Sequence, residues 1–152
     1  MNTLDLLGLT VKEVMSTDLI TVRFDTGLKE VNHIFEKENI HHIPVLSVDG
    51  KFAGIISKSD ILLLMDWSTK LNLPASLRKN TFLLTSNLAQ DVMEANVISV
   101  RPNDRIKKCV QIFRENYFRA LPVVDEHDYL VGIITTFDLM ILAYTELPQI
   151  AS

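Results

Sequence analysis

The chain repeats itself. The run from Val14 to Leu64 returns 78 residues later as Val92 to Leu142, with no insertion or deletion between the two. Fifteen of the fifty-one aligned positions are identical. Val14-Met15 answers Val92-Met93, Pro44-Val45 answers Pro122-Val123, Gly54-Ile55-Ile56 answers Gly132-Ile133-Ile134, and Asp60 answers Asp138. A repeat at a fixed period constrains the fold more than any other feature. A unit of about fifty residues is marginal alone. Two copies should therefore pack about a pseudo-two-fold axis, with function in the cleft between them.

Composition fits this reading. The 152 residues are 47% hydrophobic, rich for so small a unit. Each copy should hide its apolar face on the other, and further helix faces on a second chain, which predicts a homodimer. The net charge of −4, with no basic stripe, excludes a nucleic-acid surface. The single cysteine, Cys109, allows neither a disulfide nor a thiol cluster within the chain, and its apolar position on a predicted helix reads as a buried thiol. The start, Met1-Asn2-Thr3-Leu4-Asp5, lacks a basic region and a long apolar stretch. The longest apolar run, residues 61–65, is too short to span a bilayer. These features point to a cytoplasmic protein without membrane contact.

Residues 4–15 read as helical, with Leu4, Leu7 and Val11 on one face and a Thr10–Glu13 capping box at the last turn. Residues 89–93 play the same part in copy two, preceded by Asn87 or Leu88. Short extended pieces follow at Leu19–Arg23 and Val97–Arg101. Thr26 and Asp104 are predicted N-caps of helices that end near Glu38 and Asn116. A hairpin comes next: 43–46 with 52–56, and 121–124 with 130–134. Its prolines, Pro44 and Pro122, predict a strand start or edge. Asp49-Gly50 turns the first hairpin, and 125–128 must turn without glycine. A last helix opens at Ser57 or Ser59, and its copy opens at Thr135 or Thr136, runs to about Tyr144 and is closed by Pro148. The fold class is α+β, two tandem β-α-β-β-α repeats. The organisation is 1–65 for the N-terminal helix and first repeat, 66–88 for a connecting segment, and 89–147 for the second repeat, together one module. The connection reads as loops around a short turn at 75–78. Its Trp67, Leu71, Leu73, Phe82, Leu83 and Leu84 predict packing along the module.

Gly-Ile-Ile-Ser-Lys-Ser-Asp at 54–60 and Gly-Ile-Ile-Thr-Thr-Phe-Asp at 132–138, with His-His-Ile-Pro-Val at 41–45 and Arg-Ala-Leu-Pro-Val at 119–123, resemble the CBS domain family, named for cystathionine beta-synthase. The resemblance runs from about Thr10 to Tyr144. It implies a CBS domain pair, a two-repeat regulatory module (a Bateman module) of which two commonly meet as a flat disc.

At each strand-to-helix junction a hydroxyl and a carboxylate stand three residues apart, on one side of the first helical turn. The helix N-terminus adds free N–H groups and partial positive charge. Ser57 and Thr135 are candidates for a phosphate, and Asp60 and Asp138 for two neighbouring ribose hydroxyls. The same residues also read as plain caps, with Ser59 or Thr136 as the N-cap. The resemblance implies that these aspartates grip the ribose of an adenine nucleotide and that His41, His42 and Arg119 reach its phosphates. Lys58 and Thr136 join the phosphate candidates. His41 and His42 make a poor metal site, being adjacent and without a third ligand near in sequence. The base pocket would be apolar: Ile20, Val22, Val97, Ile98, Ile43 and Leu121. By the resemblance, the entry strand of one copy faces the Ser/Thr-x-x-Asp turn of the other. Thr17–Thr21 would join Thr135 and Asp138, and Asn96–Ser99 would join Ser57 and Asp60. Phe137 is placed near the sugar, and the Thr135/Asp138 cleft ranks first.

No nucleophile elbow, glycine-rich phosphate loop or zinc-protease motif appears, so the sequence predicts no catalysis and no catalytic cofactor. The expected role is sensing of AMP, ADP or ATP as a regulatory ligand, with the signal passed to an unidentified regulated protein. S-adenosylmethionine is the variant ligand. A ligand-free dimerisation scaffold is the alternative from a different class, and an enzyme acting on nucleotides is the third.

Overall fold

Two β-hairpins carry the short apolar runs that build the interior. The computed structural model describes residues 3–69 and 73–146. In chain order the elements are α1 (Thr3–Leu7), α2 (Val11–Val14), β1 (Val22–Arg23), α3 (Leu28–Lys37), β2 (His42–Leu46), β3 (Phe52–Ser57), α4 (Lys58–Thr69), α5 (Leu73–Ser86), α6 (Ala89–Val92), α7 (Ile106–Glu115), β4 (Ala120–Val124), β5 (Leu130–Thr135) and α8 (Thr136–Glu146). The α+β class follows directly. No helix among the described residues is long and apolar enough to cross a membrane.

The hairpins β2–β3 and β4–β5 share one register. Pro44 pairs Ile55 and Pro122 pairs Ile133, with a shift after Val45 and after Val123. Pro44 is fully buried on the middle strand of the sheet β1-β2-β3, not at a start or an edge. Antiparallel pairs alternate between hydrogen-bonded and non-hydrogen-bonded positions. Ile55 and Ile133 direct their N–H groups to the carbonyls of Glu94 and Ser16. The prolines opposite therefore occupy non-hydrogen-bonded positions, where β3 and β5 require no donor from them. The extended pieces are shorter than predicted. Only Val22–Arg23 forms a strand, parallel to β2, and its counterpart makes a single bridge between Val100 and Val123. Ser16 is tied to β5 and Val22 to β2, and the residues between ladder with neither.

The predicted N-terminal helix is broken into α1 and α2 by the turn at Gly8-Leu9-Thr10. The Thr10–Glu13 box is present: the Thr10 N–H and hydroxyl donate to Glu13 Oε2 at 2.7 and 3.0 Å. The N-caps of α3 and α7 are Gly27 and Arg105. Thr26 and Asp104 instead sit one residue earlier. Their side chains accept the amides of Arg23 (3.1 Å) and Arg101 (2.8 Å) and so close the turn that leads into the helix. The C-caps are Glu38 and Asn116, as the periodicity predicts. The connection is not a loop around a short turn. It is the end of α4 and a 14-residue helix, α5, in which Pro74 takes a tolerated first-turn place. In α5, Phe82 is exposed while Leu84 packs on a core. The side chains of Leu4, Trp67 and Leu73, together with Leu71, Pro148 and the residues Met1 and Asn2, lie outside the described residues.

The chain divides into two compact units, residues 20–96 and residues 1–19 with 97–152. Each has its own buried cluster. One gathers Val22, Leu28, Val31, Phe35, Ile43, Val45, Ile56, Ile61 and Ala89. The other gathers Val11, Val100, Ile106, Cys109, Leu121, Val123 and Ile134. Val11 precedes copy one yet serves the core of copy two, and Ala89 precedes copy two yet serves the core of copy one. Leu9, Val14 and Met15 line the second cluster, as Leu84, Val92 and Met93 line the first. The repeats have thus exchanged the segments that precede them.

Candidate functional site

Each unit contains one strand-to-helix turn of the predicted kind. The Asp60 amide donates to Ser57 Oγ at 3.1 Å, and the Asp138 amide donates to Thr135 Oγ1 at 3.1 Å. Ser57 and Thr135 are therefore the N-caps of α4 and α8. Ser59 and Thr136, offered as caps in the capping reading, lie inside the first turn. The first helical amides are also used alike: Lys58 N–H donates to the His41 carbonyl at 2.9 Å, and Thr136 N–H to the Arg119 carbonyl at 3.0 Å. The backbone of His41 and Arg119 is thereby fixed beside a helix N-terminus. The amides of Ser59 and Phe137 have no partner among the described residues and are the remaining first-turn donors.

The two turns differ in their carboxylates. Asp138 Oδ2 accepts the Thr135 amide at 2.9 Å, closing a reciprocal box that holds the half-buried side chain in place. One oxygen of that carboxylate remains open. Asp60 is exposed, and its carboxylate has no hydrogen-bond partner among the described residues. It borders a cavity of about 570 Å³ between α4, α5 and α6, lined also by Leu64, Leu84, Asn87 and Asp91. No residue pattern announces this cavity, because its far wall is α5, whose proline and asparagines carry loop chemistry.

The exchanged segments lie against these turns. Ser16 exchanges backbone hydrogen bonds with Ile133, at 2.9 and 3.0 Å, two residues before Thr135. Glu94 does the same with Ile55, at 2.9 and 3.0 Å, two residues before Ser57. Thr17 follows Ser16 and is exposed, in the same unit as Thr135 and Asp138. Asn96 is exposed in the unit of Ser57 and Asp60, its amide bonded to Glu94 Oε1 at 2.9 Å. Ile20, Thr21 and Val22 belong to the unit of Asp60, and Val97 and Ile98 to that of Asp138.

Of the cationic candidates, Arg119 is exposed and takes part in no ion pair among the described residues. His41 is exposed and Lys58 half-buried. His42 is half-buried at the start of β2 and is engaged in an interaction of its own. Three apolar candidates serve the core instead of a pocket. Val22 is 7% exposed, and Ile43 and Leu121 are wholly buried, so they offer a ligand no surface. Their strand positions point into the two clusters. Ile20, Thr21 and Val97 are half-buried, Ile98 is exposed, and Phe137 is 63% exposed.

Burial raises the Cys109 thiol to about 11, aided by the nearby Asp104 charge, so it is neither a nucleophile nor a soft ligand. No cluster of three or more His, Cys, Asp or Glu suited to a metal exists among the described residues.

Known proteins resemble this chain across both repeats. The family described as the CBS domain matches residues 11–66 and 89–143. A homoserine O-acetyltransferase of Methanosalsum zhilinae is 30% identical over 127 residues, 84% of this chain but 22% of that enzyme. The chain thus spans under a quarter of the length of the acetyltransferases it matches. The CBS domain pair of protein MJ0100, solved in complex with 5′-methylthioadenosine and S-adenosyl-L-methionine, has a TM-score of 0.73 at 25% identity, covering 91% of this chain and 98% of that one. CBSX2, solved in complex with AMP, has a TM-score of 0.72 at 24% identity, covering 91% and 98%.

Proposed function

The chain belongs to the CBS domain family, and from that premise we propose that it is a regulatory module binding an adenine nucleotide at its strand-to-helix turns. The observation that carries this reading is the Thr135–Asp138 turn. Its carboxylate is held by the Thr135 amide, one oxygen stays open, and the backbone of Arg119, which forms no ion pair among the described residues, is pinned to the same helix start. An open carboxylate oxygen accepts a ribose hydroxyl, and such a charge-assisted bond contributes about 1.5–3 kcal/mol. The helix N-terminus and Arg119 together favour an anionic 5′ substituent. The Ser57–Asp60 turn offers a second helix start beside Lys58 and His41, with a carboxylate that no amide among the described residues holds. MJ0100 supports the adenosine part of this reading, since both ligands in its complex are adenosine derivatives.

Two cations at helix starts, Arg119 and Lys58, favour AMP, ADP or ATP over S-adenosylmethionine, whose sulfonium is positive. In this reading the main chain that follows the bridged residues, at Thr17 and Asn96, reads the adenine edge. The output passes to a partner protein through a change in which arrangement the ligand prefers. A second copy of the chain is the nearest such partner. Phe137, Met140, Ile141 and Tyr144 form an exposed stripe on α8, at spacing i, i+3, i+4, i+7, and Leu62, Leu63 and Leu64 are exposed on α4.

One observation favours the scaffold reading instead: Asp138 is already accounted for as a helix-capping residue. Calorimetry across AMP, ADP, ATP and S-adenosylmethionine separates the two. The nucleotide reading expects binding that weakens roughly tenfold or more in Arg119→Ala. Silence of the whole panel at millimolar ligand leaves the scaffold.

A further inference from the structure

The repeat places a methionine at one position of each copy, and both methionines do the same unusual thing. Met15 lies over Gly132 and Met93 over Gly54. A β-carbon built on Gly132 would stand 2.5 Å from the Met15 sulfur and 3.1 Å from the Ser16 carbonyl oxygen. One built on Gly54 would stand 2.7 Å from the Met93 sulfur and 2.9 Å from the Glu94 carbonyl oxygen. The thioethers therefore occupy the space of a missing side chain. Each methionine immediately precedes the residue that bridges the hairpin: Ser16 to Ile133, Glu94 to Ile55. Both side chains pack on a core and are half-buried, so part of each methionine stays within reach of solvent in the folded protein.

We propose that Met15 and Met93 are paired oxidation sites through which a peroxide loosens the hold on the two exchanged segments. The sulfur attacks the peroxide, one oxygen is transferred and the O–O bond breaks. The thioether becomes a sulfoxide, oxidised by two electrons, and the peroxide leaves as water or an alcohol. The sulfoxide carries a strong dipole that has to stay hydrated. On the side facing the glycine the sulfur already fills the space that a β-carbon would need, so the added oxygen has to turn away from the hairpin and toward water. Solvation draws the side chain off the hairpin, and the adjoining bridge residue goes with it. The bridge lies two residues from Thr135 in one unit and from Ser57 in the other, so the same event reaches the turns that carry the proposed function. Methionine sulfoxide reductases reverse the change, which makes it a usable signal.

The test uses the whole chain in the Met140→Leu background, because Met140 is 46% exposed and oxidises regardless of fold. After hydrogen peroxide, peptide mass spectrometry reads sulfoxide at each methionine, and hydrogen exchange reads the amides of Ile133 and Ile55. The expected result is oxidation of Met15 and Met93 in the folded protein, with both amides losing about tenfold or more of their protection. The variant that also carries Met15→Leu and Met93→Leu keeps side-chain volume and should lose no protection under peroxide. Should that variant fold poorly, stepwise oxidation of the parent gives the same answer, since loss of protection at Ile133 must track sulfoxide at Met15. The proposal is overturned if both sulfurs oxidise with the amides unchanged, or if they stay reduced until global unfolding. The exchange readout does not depend on nucleotide binding, so it stands even if the ligand reading fails.

Discussion

Gly50 and Asp128 occupy the same position of the repeat, and both have positive φ, 81° and 68°. Glycine adopts this conformation freely, and aspartate does so at a cost of about 1 kcal/mol. Asp125 Oδ1 compensates by accepting the amides of His127 and Tyr129 at 2.8 and 3.0 Å, which closes the glycine-free turn. Asp128→Gly should raise stability by about 0.5–1 kcal/mol, since part of the gain is offset by unfolded-chain entropy; a urea midpoint that fails to rise contradicts this. The two site aspartates should separate in the same assay. Asp138→Ala loses the bond to the Thr135 amide and should cost about 1 kcal/mol, whereas Asp60→Ala should stay within about 0.5 kcal/mol. Acid is the third test at this scale. The Thr10 backbone N–H and hydroxyl hold Glu13 below its ordinary pKa, the Ser47 hydroxyl does so for Asp49, and the His127 and Tyr129 amides do so for Asp125. Burial raises Asp104, but the Arg101 amide and Lys108 outweigh it and leave it lowered as well. A lowered carboxylate contributes stability above its unfolded pKa and loses it as pH falls through the folded value. The melting temperature should hold level from about pH 7 to pH 5 and fall below about pH 4.

At the scale of elements, the hairpins were legible because each strand is a short apolar run bounded by turn residues and the turn chemistry of Asp49-Gly50 is strong. The capping box at Thr10 was legible for a similar local reason: one spacing decides it. The extended pieces at 19–23 and 97–101 were over-read, because their apolar residues reflect burial more than laddering. The helix α5 was missed because Pro74, Asn80 and Asn87 look like loop residues, while Pro74 in fact occupies a first turn and the Asn87 side chain donates to the Leu83 carbonyl at 2.8 Å. Ile43 and Leu121 were assigned to a ligand because a strand sequence states which residues are apolar and not which face meets the core. The glycines of the Gly-Ile-Ile segments now have a physical reason, the close approach of Met15 and Met93. Gly132→Ala and Gly54→Ala should each cost about 1–3 kcal/mol by overpacking, and each should loosen its own bridge. Denaturation combined with amide exchange at Ile133 or Ile55 reads both effects; an alanine tolerated without loss would mean that the methionine moves aside freely.

The whole molecule was legible as a duplication, but the exchange of the preceding segments was not, since no residue pattern announces which copy a segment will join. The exchange has a consequence for folding. Residues 20–96 are contiguous and contain an entire buried cluster, including Ala89, with Met93 packed against it. That fragment should unfold cooperatively, whereas residues 14–64 alone, lacking α5 and α6, should show no transition in circular dichroism. The exposed stripes on α4 and α8 predict about twice the 17.2 kDa chain mass by light scattering. The ligand reading rests on an aspartate gripping the two hydroxyls of a ribose. The most direct measurement is the affinity of the intact chain for AMP beside 2′,3′-dideoxy-AMP, repeated in a chain carrying both Asp60→Ala and Asp138→Ala. AMP should bind tighter by about ten- to a hundredfold, and the difference should vanish in the double variant. Equal affinity of the intact chain for the two nucleotides would contradict the assignment.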